Sequence, residues 1–248
     1  QTRNGVDLEK VASVRERLPS DITRNPLALV YSARPERGLD VLLAEIMPRI
    51  LKYEPNAKLY LSAYHNPVEH LAEFYGQCDQ LAERLGPGVV TKLGALNKDQ
   101  LYEMYHAAGL YLYPVPSLFA PEFDEISCLS FMEAQACGLP IISSARGALP
   151  ETLGPGAGIL VPDAVHTAEY YDAFASTALR LMRSPEEWRA MSAAGLKHAA
   201  TLSWDKVAEQ WEELFTAELE NNNSSYATLA NHFWRRSDIY AAKECLKK

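Results

Sequence analysis

The sequence predicts an α/β fold: a Rossmann-like parallel sheet with helices on both faces, followed by a helical carboxyl-terminal tail. Short apolar runs bounded by Pro, Gly or charged turns alternate with segments whose apolar residues recur at helical spacing. Successive parallel strands need a long crossover, and an intervening helix supplies it. The 248 residues are 48% hydrophobic and 23% charged, which is enough apolar material to bury a core and argues against disorder.

The elements follow in order. "LALVYS", Leu27 to Ser32, lies between Pro26 and the charged turn "ARPERG" and reads as a buried strand. "LDVLLAEIMPRILKY" is helical, with Pro48 expected to kink or divide it. "AKLYLSAY" is the second strand, "PVEHLAEFYGQCDQLAERLG" a helix closed by Gly86, and "GVVTKLGAL" the third strand. "NKDQLYEMYHAAG" opens on Asn97 as N-cap and is expected to end at Gly109, before the strand "LYLYPVP". Cys128 to Cys137 reads as a helix ended by Gly138, with Ser127 or Asp124 available to cap it, and "PIISS" as the strand after it.

Beyond "GILVPD" the pattern becomes wholly helical, with Pro185 at one helix start and Ser203 as the cap of the next. Residues 1–220 are therefore read as one domain. After the polar break "ENNNSS", residues 221–248 form a helical tail that resembles a partial tetratricopeptide-like repeat, a unit that buries its face only against neighbours.

Composition excludes several function classes. The formal net charge of −8 and sequence pI near 5.3 leave no basic footprint for nucleic acid. No apolar run approaches the roughly 20 residues that span a bilayer. The four cysteines, Cys78, Cys128, Cys137 and Cys245, are scattered without a CxxC pair, so reduced thiols and a cytoplasmic setting are expected. No GxGxxG follows a strand, which removes the dinucleotide reading.

Parallel sheets bind ligands beyond the carboxyl ends of their strands, so the loops after Ser32, Tyr64, Gly94, Tyr113 and Ser144 are expected to line the site. The stretch "EISCLSFMEAQACGLPIISS" runs from Glu125 to Ser144 and carries the densest chemistry. A helix start presents unpaired amides and a partial positive charge, an anion site that the small Ser127 and Cys128 leave open. Glu125 lies ahead of that helix and Glu133 within it, so two carboxylates meet different parts of one ligand. Carboxylates accept from hydroxyls, as on a ribose or a hexose, and a nucleotide sugar offers both with a diphosphate between. Arg34 and Arg37 follow the first strand, and arginine grips phosphate through its planar fork.

Each residue also has a plainer role. A glutamate near a helix start ordinarily just complements the dipole, and an arginine in a turn is ordinarily solvated. His65 and His70 could face the cleft, though surface or core positions are commoner, and the other histidines have no constellation around them. Cys128 could be a reactive thiol at a helix start, or a small space-filler beside the phosphates.

"EISCLSFMEAQACGLPIISS" followed by "RGALPE" resembles the donor-binding signature of retaining, family 4 nucleotide-sugar glycosyltransferases of the GT-B fold. "YSARPERGLD" resembles that family's arginine and basic-glycine loop, and "NGVDLEK" the turn where the family's chain enters its second domain. The resemblance implies a nucleotide-sugar-binding domain over residues 1–220. Arg34 and Arg37 would hold the diphosphate, Glu133 the ribose and Glu125 the transferred sugar. Amides of Ser127, Cys128 and Leu129 would meet the phosphates, and Gly94 would mark the loop near the base. Glu125, Arg34 and Arg37 are the implied catalytic residues. Metal-independent retaining transfer is expected, with no cofactor beyond the donor.

The resemblance also implies an acceptor-binding amino-terminal domain that this chain lacks, with a glycan, lipid-linked or protein acceptor, so the chain alone is expected to be inactive in transfer. Peripheral membrane association of a longer protein stays open. Many members have Phe-Gly where this chain has Ser127 and Cys128, and a basic residue two positions beyond Arg37. The alternative is a non-catalytic nucleotide-sugar-binding or scaffold module with a partner-binding tail. An epimerase or phosphorylase of the same fold suits the "RGALPE" loop less well.

Overall fold

A computed structural model describes residues 4–19, 24–62, 69–162 and 165–222. Two compact units divide the chain, Arg3–Trp204 and a second that takes in the residues from Asp205 onward. In the first, Asp7 of the "NGVD" turn caps α1 (Leu8–Arg17) by accepting from the Lys10 amide at 2.8 Å. β1 (Asn25–Tyr31) follows, then a short 3-10 turn at Pro35–Arg37 and α2 (Leu39–Val41). Gly38 joins them at φ 108°, where a Cβ would lie 2.3 Å from the Pro114 carbonyl oxygen, so only glycine makes this turn.

The helix expected to kink or divide at Pro48 is divided just ahead of it. A π-helical stretch, Leu42–Ile46, links α2 to α3 (Met47–Leu51), which lets the chain pass a residue that cannot donate to the preceding turn. β2 (Lys58–Leu61), α4 (Ala72–Arg84) and β3 (Val90–Lys92) come next, β3 shorter than its apolar run suggested. Asn97 and Gln100 form a reciprocal capping box at the start of α5 (Lys98–Ala107). The expected stop at Gly109 is corrected: the helix ends two residues earlier, and Gly109 lies inside β4 (Ala108–Tyr113). A Cβ there would meet the Asn25 and Pro26 carbonyl oxygens at 2.7 and 2.6 Å, so this glycine serves the close approach of β1.

α6 (Leu129–Ala136), β5 (Ile141–Ser144), α7 (Leu149–Thr152) and β6 (Gly158–Val161) complete the alternation, and α8 (Ala168–Arg183) and α9 (Pro185–Ala199) close the unit. Pro185 opens α9 as expected. All neighbouring strands pair in parallel, in the order β3-β2-β1-β4-β5-β6. Every residue of β4 and β5 is buried, which requires cover on both faces. α1, α5, α6 and α9 pack in one group, and α2, α3, α4 and α8 in another. The indole of Trp188 donates to the Gly109 carbonyl at 2.6 Å and pins α9 to β4.

In the second unit, α10 (Trp204–Asn222) runs as one helix through the start of the polar break, with Trp211 and Phe215 rings 5.2 Å apart. The expected repeat-like helices beyond it lie outside the described residues.

Candidate functional site

The strand order reverses between β1 and β4: the chain builds outward to β3 on one side and to β6 on the other. Loops leaving the two central strands diverge there and open a crevice at their carboxyl ends. An open cleft of about 960 Å³ occupies this place. Arg34 and Arg37 reach it from the loop after β1, and Glu125, Ser127, Cys128, Leu129 and Glu133 from the segment after β4 and from α6. Seven of the eight residues expected at the site thus line one cavity. The eighth, Gly94, is not among the lining residues. It lies two residues beyond β3 with its carbonyl accepting from Ser62 Oγ at 3.3 Å, and its neighbours Ala95 and Leu96 line the cleft.

The loops after Ser32, Gly94 and Tyr113 line the cleft as expected, and the position after Tyr64 lies outside the described residues. The loop after Ser144 is a correction: it braces the cleft from behind. Ala148 donates its amide to the Glu125 carbonyl at 2.7 Å, and Arg146 Nε pairs with Asp124 at 2.6 Å. Gly147, at φ 54°, passes so close that a Cβ would sit 2.4 Å from the Glu125 carbonyl oxygen. The "RGALPE" loop is thus a backboard for the first glutamate.

Neither Ser127 nor Asp124 caps α6. Cys128 is the N-cap residue and makes no side-chain cap bond. Ser127 Oγ accepts instead from Asn4 Nδ2 at 3.0 Å, which ties the "NGVD" turn to the cleft wall. The Leu129 amide donates to the Ser127 carbonyl and the Phe131 amide to the Cys128 carbonyl, both at 3.1 Å, so the uncapped start offers a ligand its positive end and the amides ahead of Leu129.

Both glutamates are nearly buried, Glu125 at 6% exposure and Glu133 at 7%. The Tyr113 hydroxyl donates to Glu125 Oε2 at 2.8 Å, and Arg37 Nη1 lies 3.5 Å from that same oxygen. The Tyr102 hydroxyl donates to Glu133 Oε1 at 3.0 Å, and Lys98 Nζ pairs with the same atom. Among the described residues the second oxygen of each carboxylate has no hydrogen-bond partner. Burial lowers Arg37, but Tyr113 and then Glu125 outweigh it and leave the guanidinium raised above its ordinary value. Arg37 also stacks over the Phe123 ring at 4.9 Å. Arg34 pairs through Nε with Glu36 at 2.6 Å, and Glu36 in turn accepts from the Tyr75 hydroxyl at 2.9 Å.

Cys128 is not activated. Burial, with Glu125 second, pushes its thiol up to about 12, so it is a small space-filler at the helix start. His70 is exposed and does not line the cleft, and His65 lies outside the described residues. The sequence reading missed Tyr102, Tyr113 and Lys98. Tyr113 looks like core within an apolar strand and Lys98 like an ordinary helix-surface charge. The one available signal was the α5 cap at Asn97, which places Lys98 at a helix start beside the expected base loop.

A parallel sheet with helices on both faces and a cleft at its switch point is the architecture of the carboxyl-terminal half of a GT-B fold. Residues 26–184 match the family "Glycosyl transferases group 1", and the chain belongs to that family. It is 29% identical over 80% of its length to a D-inositol 3-phosphate glycosyltransferase of Segniliparus rotundus, covering 41% of that protein. It is 26% identical over 85% of its length to a GDP-mannose-dependent phosphatidylinositol monomannoside mannosyltransferase of Corynebacterium glutamicum, covering 52% of it. The chain therefore spans about half the length of the curated relatives it matches.

Among solved structures, sucrose-phosphate synthase from Thermosynechococcus elongatus superposes with a TM-score of 0.65 at 25% identity, over 88% of this chain and 52% of that one. A crystallised carboxyl-terminal domain of a group 1 protein from Francisella tularensis shares the fold at TM-score 0.60 and 16% identity, over 79% of this chain and 97% of its own length.

Proposed function

We propose that this chain is the donor-binding half of a retaining, metal-independent glycosyltransferase and holds a nucleotide sugar in the cleft at the β1/β4 switch. The observation that carries this reading is convergence: two arginines, an uncapped helix start and two tethered glutamates line one cavity. The diphosphate sits against the first turn of α6, at the amides of Ser127, Cys128 and Leu129, under Arg34 and Arg37. Glu133 takes the ribose hydroxyls and Glu125 those of the transferred sugar, while the Gly94 loop lies at the base.

Transfer then proceeds by attack of an acceptor hydroxyl on the donor's anomeric carbon from the face the diphosphate leaves; the bond from that carbon to the diphosphate oxygen breaks, and the departing phosphate takes the hydroxyl proton. Arg34, Arg37 and the helix dipole stabilise charge developing on the departing phosphate, the task a divalent ion performs in other transferases. Glu125 orients the sugar. The acceptor, a glycan, a lipid-linked sugar or a protein, binds through a second domain, so the 248-residue chain alone binds donor without transferring it. Among the described residues no helix is long and apolar enough to cross a membrane. We place the activity in the cytoplasm, where nucleotide sugars are available.

The HepE neighbour from Anabaena was crystallised with UDP and glucose, and the Corynebacterium relative is GDP-mannose-dependent. Calorimetric titration of the chain with UDP, GDP and ADP therefore tests the reading. One of them is expected to bind, unaffected by EDTA, and Arg34→Ala or Arg37→Ala to weaken binding by about 1–3 kcal/mol, the scale of a hydrogen bond to a charged group. Failure of all three to bind the folded chain would overturn it.

A further inference from the structure

The two cleft glutamates are held by the same device. Each has one carboxylate oxygen tied by a buried tyrosine hydroxyl and a basic side chain: Tyr113 with Arg37 on Glu125, and Tyr102 with Lys98 on Glu133. A carboxylate oxygen has about two lone-pair sites, so two donors fill Glu133 Oε1. The terminal torsion of a glutamate is broad and roughly two-fold, so an untethered carboxylate spins through many orientations. Glu133 is denied that freedom, and its Oε2 is presented as one fixed acceptor. Burial, then Glu133 itself, raises the Tyr102 hydroxyl far above its ordinary value, so it stays protonated and can only donate to this carboxylate.

We infer that Tyr102, with Lys98, is the positioning element by which this domain selects ribose over deoxyribose: the pair locks Glu133 Oε1 so that Oε2 meets the ribose 2′- and 3′-hydroxyls. This rests on the donor reading above and adds the residues that give its ribose contact discrimination. Tyr102 does not line the cleft and acts through Glu133, while Lys98 lines the cleft rim and acts by its pairing with the same carboxylate. Tyr102 is buried at 2% exposure and reaches the carboxylate from α5, whereas the Lys98 side chain is about half exposed at the rim. The buried donor therefore sets the angle and the rim cation reinforces it.

The test compares the affinity of the 248-residue chain for UDP or GDP, whichever binds more tightly, with its affinity for the 2′-deoxy counterpart. Tyr102→Phe removes one hydroxyl and keeps the ring, and Lys98→Met removes the cation from a partly exposed position where folding is not at stake. Tyr113→Phe serves as the control, since Tyr113 acts on the other glutamate. Tyr102→Phe and Lys98→Met are each expected to lower the ribo-to-deoxy preference about threefold to tenfold, the range for one net hydrogen bond, while Tyr113→Phe leaves it unchanged. A purely packing role would weaken both nucleotides equally and leave the ratio where it was.

A ratio unmoved by both Tyr102→Phe and Lys98→Met, or lowered as much by Tyr113→Phe, overturns the inference while leaving the donor reading intact. If the unsubstituted chain binds no nucleotide, the donor reading itself falls and takes this inference with it.

Discussion

At the scale of single residues, burial decides which ionisable groups act and which are kept silent. His106 lies inside the fold under α1, and burial pushes its imidazole down to about 4, with Arg24 and Arg15 adding repulsion. The folded protein therefore holds it neutral at a pH where the unfolded chain, titrating near 6.5, has already taken up a proton. Because the unfolded state binds more protons in that window, stability falls as pH drops from about 6.5 toward about 4. Replacing His106 by Leu is expected to remove on the order of 1–2 kcal/mol of that acid loss, read as the change in urea midpoint between pH 7 and pH 4.5. An equal acid loss in both proteins would contradict this assignment. The same logic explains which site residues were legible from sequence. Glu125, Glu133, Arg34 and Arg37 are charges inside or beside apolar runs and stand out, whereas Tyr102 and Tyr113 are amphipathic and their apolar rings disguise the hydroxyl that matters.

At the scale of elements, the cleft depends on segments that never touch it. The loop between β5 and α7 supports Glu125 through the Ala148 amide, and Gly147 is the point of closest approach. A methyl group at Gly147 would meet both the Glu125 nitrogen and oxygen at 2.6 and 2.4 Å, in a backbone conformation that costs a side chain extra. Gly147→Ala is therefore expected to destabilise the fold by about 1–3 kcal/mol and to weaken nucleotide-sugar binding more than nucleotide binding, because Glu125 is displaced and Glu133 is not. Calorimetry with UDP-glucose or GDP-mannose against the free nucleotide checks it, and equal losses for both would refute it. Sequence periodicity located the first five strands, because apolar runs between turn residues carry a local signal, and left "GILVPD", which forms the edge strand β6, unassigned. It misplaced the end of α5 because a glycine after a helix reads as a stop, while the carbonyls that forbid a Cβ at Gly109 belong to β1, far away in the chain.

At the scale of the whole molecule, the site is a product of topology. Arg34 and Arg37 are more than 80 residues from Glu125 in sequence, and they converge because β1 and β4 are neighbours at the point where the strand order turns back. Nothing local encodes that convergence; it was foreseeable only from the rule that parallel sheets bind at such points and from the resemblance of the motifs. The central claim is that the positive start of α6, with the two arginines above it, clasps a diphosphate. A crystal structure of this chain grown with UDP or GDP tests it most directly. The account predicts the β-phosphate within hydrogen-bonding distance of the Cys128 or Leu129 amide and of an Arg34 or Arg37 guanidinium, with the ribose hydroxyls on Glu133 Oε2. A nucleotide bound with its phosphates turned away from α6, or seated outside this cleft, would contradict it.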